Sequence, residues 1–137
     1  MNNTYTGGCF CGAARYEITA DLVAMNDCQC RQCQKDSGTG HGSYLSFVAP
    51  DAKLTGEMKC FEIVGDAGMV KSRNFCPTCG TQLYISFPAM PGVLAVRAGT
   101  LDDPGMYKPQ FATWTKSAQP WDHLDPALTR FDQMPPR

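Results

Sequence analysis

Seven of the eight cysteines in this chain fall into three tight groups, and no other feature limits its possible folds as strongly. Cys9-Phe10-Cys11 is a C-x-C pair. Cys28-Gln29-Cys30-Arg31-Gln32-Cys33 is a C-x-C-x-x-C triplet. Cys76-Pro77-Thr78-Cys79 is a C-x-x-C pair followed at once by Gly80. Thiolates at such spacings are soft donors that select zinc, and four of them complete a tetrahedral site. Seven donors divide into one complete set of four and one set of three. A three-donor set keeps a corner for water or a substrate atom, which is what separates catalytic from structural zinc.

The rest of the composition narrows the setting. A chain of 137 residues with 43% hydrophobic and 18% charged residues is expected to form one domain, residues 1–137, with its own core. Twelve basic and thirteen acidic residues leave a net charge of −1, and no basic stripe points to nucleic acid. No apolar run approaches the roughly 18–20 residues that a membrane span needs. The segment Met1-Asn2-Asn3-Thr4-Tyr5-Thr6 lacks a cationic start and an apolar stretch, so no signal peptide is expected. A reducing, cytoplasmic setting follows, in which thiols serve metals or chemistry rather than structural disulfides. An even cysteine count also permits a disulfide framework. The chain is long for a stapled miniprotein, however, and C-x-C neighbours rarely pair with each other.

Alternation and turn signals predict short antiparallel strands with little helix. Residues 14–19, 43–48, 58–64, 70–75, 81–87, 93–98 and 110–115 read as strands, with 93–98 central and 110–115 last. Strands 70–75 and 81–87 form a hairpin whose turn is Pro77-Thr78-Cys79-Gly80, where Gly80 can supply a positive φ. Arg31 to Lys35 reads as one helical turn, and Asp102-Asp103-Pro104-Gly105 as another with an Asp cap. Gly65-Asp66-Ala67-Gly68 reads as a hairpin tip, and the tail from Pro126 to Arg137 as loosely held.

Glycines flank both outer cysteine pairs, Gly7-Gly8 and Gly12 around the first and Gly80 after the second. They let the backbone turn so that paired sulfurs face one ion. Cys9, Cys11, Cys76 and Cys79 are therefore assigned to a closed structural zinc. The rival for Cys76-Pro77-Thr78-Cys79 is a redox dithiol, which needs a helix after the motif; Thr81 to Phe87 alternates like a strand instead.

Cys28, Cys30 and Cys33 lie in a polar run, expected to be a surface loop. They are assigned to a second, catalytic zinc. Three thiolates and one zinc leave a local charge of −1, which Arg31 and Lys35 can offset. Three side chains remain as candidates to close the fourth corner. Cys60 reads otherwise as a small buried hydrophobe on a strand, and His41 and His123 as surface or hydrogen-bonded residues.

The order of motifs resembles the glutathione-dependent formaldehyde-activating enzyme family, which also includes centromere protein V. The residues that carry the likeness are Gly8-Cys9-Phe10-Cys11-Gly12 with Arg15-Tyr16, the triplet from Cys28 to Gln34 with Ser37-Gly38, Phe75 to Thr81, Gly99-Thr100-Leu101-Asp102, and Trp121 after Lys116 and Pro120. The likeness runs from about Gly7 to Trp121. Where many members carry His between the first two triplet cysteines, this chain has Gln29. The resemblance implies an all-β, Mss4-like, zinc-stabilised sandwich. It also implies two zinc ions per chain, partitioned as above. The activity implied is that of a carbon–sulfur lyase acting on S-(hydroxymethyl)glutathione, with glutathione and formaldehyde as partners and the triplet holding the glutathione sulfur. Arg31, Gln34 and Lys35 are candidates to contact an anionic thiol. The alternative is a zinc-stabilised interaction module without turnover, with Trp114 and Trp121 on its partner surface. A sulfoxide reductase of related fold would need a catalytic cysteine outside the clusters, and Cys60 is the only one left. The sequence leaves the oligomeric state open.

Overall fold

The computed structural model describes residues 3–65 and 68–136. Asp66 and Ala67, the middle of the expected hairpin tip, lie outside it, as do Met1, Asn2 and Arg137. The flanks of that tip are closed by Gly65 N–H to the Met69 carbonyl at 2.8 Å.

A strand buried on one face must alternate in polarity, and β2 (Arg15–Ala20) does so: Tyr16, Ile18 and Ala20 are buried while Arg15, Glu17 and Thr19 are exposed. It pairs antiparallel with β1 (Asn3–Gly8) on one side and β5 (Lys53–Thr55) on the other. The second sheet contains β3 (Leu22–Cys28), β4 (Gly42–Val48), β6 (Lys59–Val64), β7 (Val70–Phe75), β8 (Gln82–Ser86), β9 (Val93–Arg97), β10 (Phe111–Thr113) and β11 (Thr129–Arg130). Its spatial order is β11-β10-β3-β4-β9-β8-β7-β6. The pairings are antiparallel except those of β10 with β3 and with β11.

The central strands bury both faces. Leu45 and Phe47 of β4 and Leu94 and Val96 of β9 pack against Tyr5 and Ile18 of the smaller sheet, with the Tyr5 and Phe47 rings 4.9 Å apart. That contact makes the sandwich. Tyr44 of β4 and Ala95 of β9 face the other way, into a second cluster with Ile85, Cys28, Cys30 and Cys33. The one α-helix among the described residues, α1 (Arg31–Ser37), contacts β4 beside that cluster. Cys30 caps its start, its sulfur accepting the Cys33 N–H at 3.3 Å, and Gly38 ends it at φ 79°.

Three expectations are corrected here. β3 continues as a strand through Asn26, Asp27 and Cys28, where the sequence suggested the start of a polar loop, because its polar residues find partners on both sides. The Asp27 carboxylate accepts from the Ser43 and Tyr107 hydroxyls, each at 2.7 Å, and Asn26 donates to Thr113 at 3.3 Å. β1 and β5 also escaped the alternation pattern. Segment 110–115 is not the last strand: β11 follows it, and the tail is held. Phe131 N–H donates to the Ala112 carbonyl at 2.9 Å, and Phe131 packs edge-on against Phe111 at 5.8 Å. The tail thus supplies the hydrogen bonds that one edge of β10 would otherwise lack.

Candidate functional site

The first cysteine group is assembled by two turns. After β1, Cys9 N–H donates to the Ala14 carbonyl at 3.0 Å, and Gly12 at φ 82° closes the loop onto the Cys9 carbonyl. In the β7–β8 turn, Gly80 N–H reaches the Cys76 carbonyl at 2.8 Å and Gly80 sits at φ 79°, as the sequence anticipated. Cys9, Cys11, Cys76 and Cys79 bring their sulfurs within 4.8 Å of one another. Cys9 and Cys11 sulfurs are 3.6 Å apart, and Cys11 and Cys76 sulfurs 3.7 Å. Four sulfurs about 2.3 Å from a central zinc would stand about 3.8 Å apart along each tetrahedral edge. The donor set and its spacing fit that ion.

The family-like residues outside the cysteines lock this turn to the rest of the sandwich. Arg15 Nη1 donates to Asp102 Oδ1 at 2.8 Å, Thr6 donates to Asp102 Oδ2 at 2.8 Å, and the Tyr16 and Thr100 hydroxyls meet at 2.8 Å. Thr81 accepts the Phe10 N–H at 3.1 Å, which leaves its own proton for the Cys79 sulfur at 3.2 Å. The Arg15 guanidinium and then the Thr6 hydroxyl depress the Asp102 carboxyl from 3.8 to about 2. A depressed carboxyl stabilises the folded state above its unfolded pKa, and that contribution fades as pH falls toward the folded value. The gap in melting temperature between the parent protein and Asp102→Asn is therefore expected to be full above about pH 4 and to close toward pH 2. A gap that widens on acidification would contradict the pairing.

The second group lies where β3 ends and α1 begins. Cys28, Cys30 and Cys33 are 9%, 7% and 8% exposed, so the triplet is buried and not the surface loop expected. The cause is the strand–helix junction, which turns all three sulfurs toward Tyr44, Ile85 and Ala95, with Phe87 and Trp114 packed alongside. The three sulfurs lie within 4.8 Å of one another. Among the described residues, no fourth Cys, His, Asp or Glu atom joins them.

Neither group can ionise fully on its own. Hydrogen bonds from Cys30 and Cys33 pull the Cys28 thiol down to about 3, while bonds to Cys28 and Cys30, reinforced by burial, push Cys33 far up. In the first group the Thr81 hydroxyl lowers Cys79 to about 5. The Ala13 amide lowers Cys11, but the neighbouring sulfurs and burial outweigh it and leave Cys11 at about 11. A bound cation would supply the charge that lets every sulfur become a thiolate.

The candidates for a fourth ligand go elsewhere. His41 Nδ1 lies 2.9 and 3.0 Å from the Asp122 oxygens, and His123 is exposed. Cys60 is exposed on β6, which corrects its expected burial; among the described residues β6 is the edge of the sheet, paired with β7. Gln29, 1% exposed, donates to Asp122 at 3.0 Å. Arg31 bonds Gln34, whose amide holds the Gln29 and Ser117 carbonyls at 2.9 Å each. A buried cation is linked to the triplet through one side chain: Arg97, 8% exposed, has its Nη1 3.1 Å from the Tyr44 hydroxyl, and that oxygen is 3.2 Å from the Cys33 sulfur. Sequence reasoning passed over Tyr44 and Arg97, which lie outside the motifs, and over Asp36, which reads as one more polar residue of the run around the triplet until Arg97 is seen to pair with it.

Two clefts flank α1. One, of about 440 Å³, is bordered by Lys35, Asp36, Phe61, Arg73, Phe75 and Gln82. The other, of about 270 Å³, lies between Arg31, Gln34, Lys35 and Trp121. Trp114 takes φ 55°, rare for a residue with a side chain, and its N–H is held by the Gln133 carbonyl at 3.2 Å. No helix among the described residues is long and apolar enough to cross a membrane.

The model of the family described as glutathione-dependent formaldehyde-activating enzyme matches residues 4–117. A crystal structure of a Rhodobacter sphaeroides protein aligns over 92% of this chain and 98% of its own, with a TM-score of 0.56 and 16% identity, a likeness of fold.

Proposed function

This chain belongs to the glutathione-dependent formaldehyde-activating enzyme family, and from that premise we propose that it is a carbon–sulfur lyase acting on a thiol–aldehyde adduct of the S-(hydroxymethyl)glutathione type. Cys9, Cys11, Cys76 and Cys79 hold a structural zinc. Cys28, Cys30 and Cys33 hold a second zinc at the site of reaction. The observation that carries this reading is the triplet itself: three buried sulfurs converge, and no fourth protein ligand closes the set among the described residues. A zinc there supplies the positive charge that keeps a substrate thiol ionised at neutral pH.

The chain's own groups do the rest. Ile85, Ala95, Phe87 and Trp114 form an apolar wall beside the triplet and keep water from the sulfurs. Gln34 ties α1 to the Ser117 segment, so the helix that carries Cys33 keeps its place. Lys35 and Arg73 border the larger cleft and carry the charge to hold carboxylates of the thiol. In the forward direction the thiol sulfur bonds to the aldehyde carbon, the carbonyl π pair moves onto oxygen, and the thiol's proton ends on that oxygen. The reverse breaks the same C–S bond.

The test mixes zinc-loaded protein with glutathione and formaldehyde and follows adduct exchange by NMR. Exchange faster than buffer alone is expected. No acceleration with any thiol tried would overturn the reading. It would leave the second one, a zinc-stabilised binding module.

A further inference from the structure

Four buried or nearly buried side chains form a square behind the triplet. On α1, Cys33 and Asp36 are three residues apart and share a helix face. On the sheet, Tyr44 of β4 and Arg97 of β9 are direct cross-strand partners. The Tyr44 hydroxyl lies 3.2 Å from the Cys33 sulfur and 3.1 Å from Arg97 Nη1. Arg97 Nη2 in turn bonds Asp36, whose side chain is 3% exposed and whose other oxygen lies 3.4 Å from Arg73 Nη1. The Arg97 guanidinium also sits 4.9 Å from the Tyr44 ring centroid.

The proton on Tyr44 has a single place to go. A guanidinium carries donors and no acceptor, so the Tyr44 oxygen must accept from Arg97. A phenol has one proton, and the sulfur is the remaining partner. Arg97 cannot swing away, because a buried carboxylate pins it and its own charge would be costly to leave unpaired there. With Cys33 ionised on the metal, a sulfur without a proton of its own can only accept, and the direction of the Tyr44 bond is thus fixed.

From this square we infer that Tyr44 is a positioning residue: its hydroxyl donates to the Cys33 sulfur, with Arg97 and Asp36 fixing the direction of that bond, and so sets the charge and aim of one corner of the triplet. The inference rests on the metal assignment under Proposed function. A donor to a coordinating thiolate draws density from the sulfur, aligns its lone pairs and stabilises its ionised form. It also supplies what Arg31 and Lys35, on the exposed side of the helix, do not: a dipole backed by a buried cation, opposing the net −1 of three thiolates and one zinc.

Cobalt(II) reports on this directly, because its thiolate charge-transfer bands follow the electron density on sulfur. The difference spectrum between the parent protein and Cys33→Ser isolates the triplet. Tyr44→Phe keeps the ring and removes the donor. It is expected to move the triplet's charge-transfer band and to weaken metal binding there by about 10–100-fold in competition with a chelator, while the four-sulfur site keeps its affinity. Should Tyr44→Phe fail to fold, a fluorinated tyrosine at position 44 keeps the packing and sharpens the donor. Its band is then expected to move in the opposite direction, which a merely structural role would not produce. An unmoved band and an unchanged affinity in the variant examined would overturn the inference and leave the metal assignment standing. A triplet in the parent protein that takes up no cobalt would overturn both.

Discussion

Cys76→Ala is expected to leave no cooperative unfolding transition at room temperature. Cys76 has no exposed surface, belongs to the main core, and opens the turn that aims two sulfurs at the loop after β1. On the proposed zinc assignment, its loss would remove one of four donors from an ion that joins that loop, from the smaller sheet, to the β7–β8 hairpin of the larger one. Structural zinc contributes about 10–16 kcal/mol in small zinc domains, whereas a whole domain is stable by only about 5–15 kcal/mol. Losing most of the metal term therefore exceeds what packing can offset. The measurement is far-UV circular dichroism with a thermal melt, run on the variant and on parent protein treated with a strong chelator. Both should lose the transition. A variant melting within a few degrees of the parent would show that the four sulfurs are not what joins the sheets.

Cys33→Ser is expected to behave in the opposite way, keeping the fold and losing the chemistry. The substitution changes little volume, and the triplet lies in the second cluster, across the large sheet from the main core. Metal analysis should fall from two ions per chain to one. Adduct exchange between glutathione and formaldehyde should fall to the rate in buffer, while the thermal transition persists. Retained exchange would remove the triplet from the reaction. A collapsed fold would make the triplet architectural. The pair of variants thus separates the two roles, since Cys33→Ser should abolish the exchange while sparing the fold that Cys76→Ala loses.

The cysteine spacings made both clusters legible in the sequence, because ligand spacing is a local property. Gly80 and the two strands beside Cys76 and Cys79 were legible for the same reason: turn chemistry and alternation are written over a few residues. β3 was not, since Asn26 and Asp27 look like loop residues until Ser43, Tyr107 and Thr113 are seen to satisfy them. The tail was misjudged because its order comes from the open edge of β10, a fact of topology rather than of composition. The surroundings of the triplet were hidden for the same reason. Tyr44 and Arg97 meet only through the register of β4 with β9, and His41 meets Asp122 across 81 positions of chain. The cations closest in sequence, Arg31 and Lys35, are exposed on α1, whereas Arg97 reaches the buried Cys33 sulfur through the Tyr44 hydroxyl.

The two clusters differ in how much of them solvent can touch. Cys11 and Cys79 are exposed, while the triplet is enclosed on all three of its residues. An oxidant or alkylating agent arriving from outside thus meets the keystone before it meets the workbench. Chemical damage to this protein should register first as loss of shape, with poisoning of the reaction following from it, the reverse of an enzyme whose reactive sulfur stands in the open.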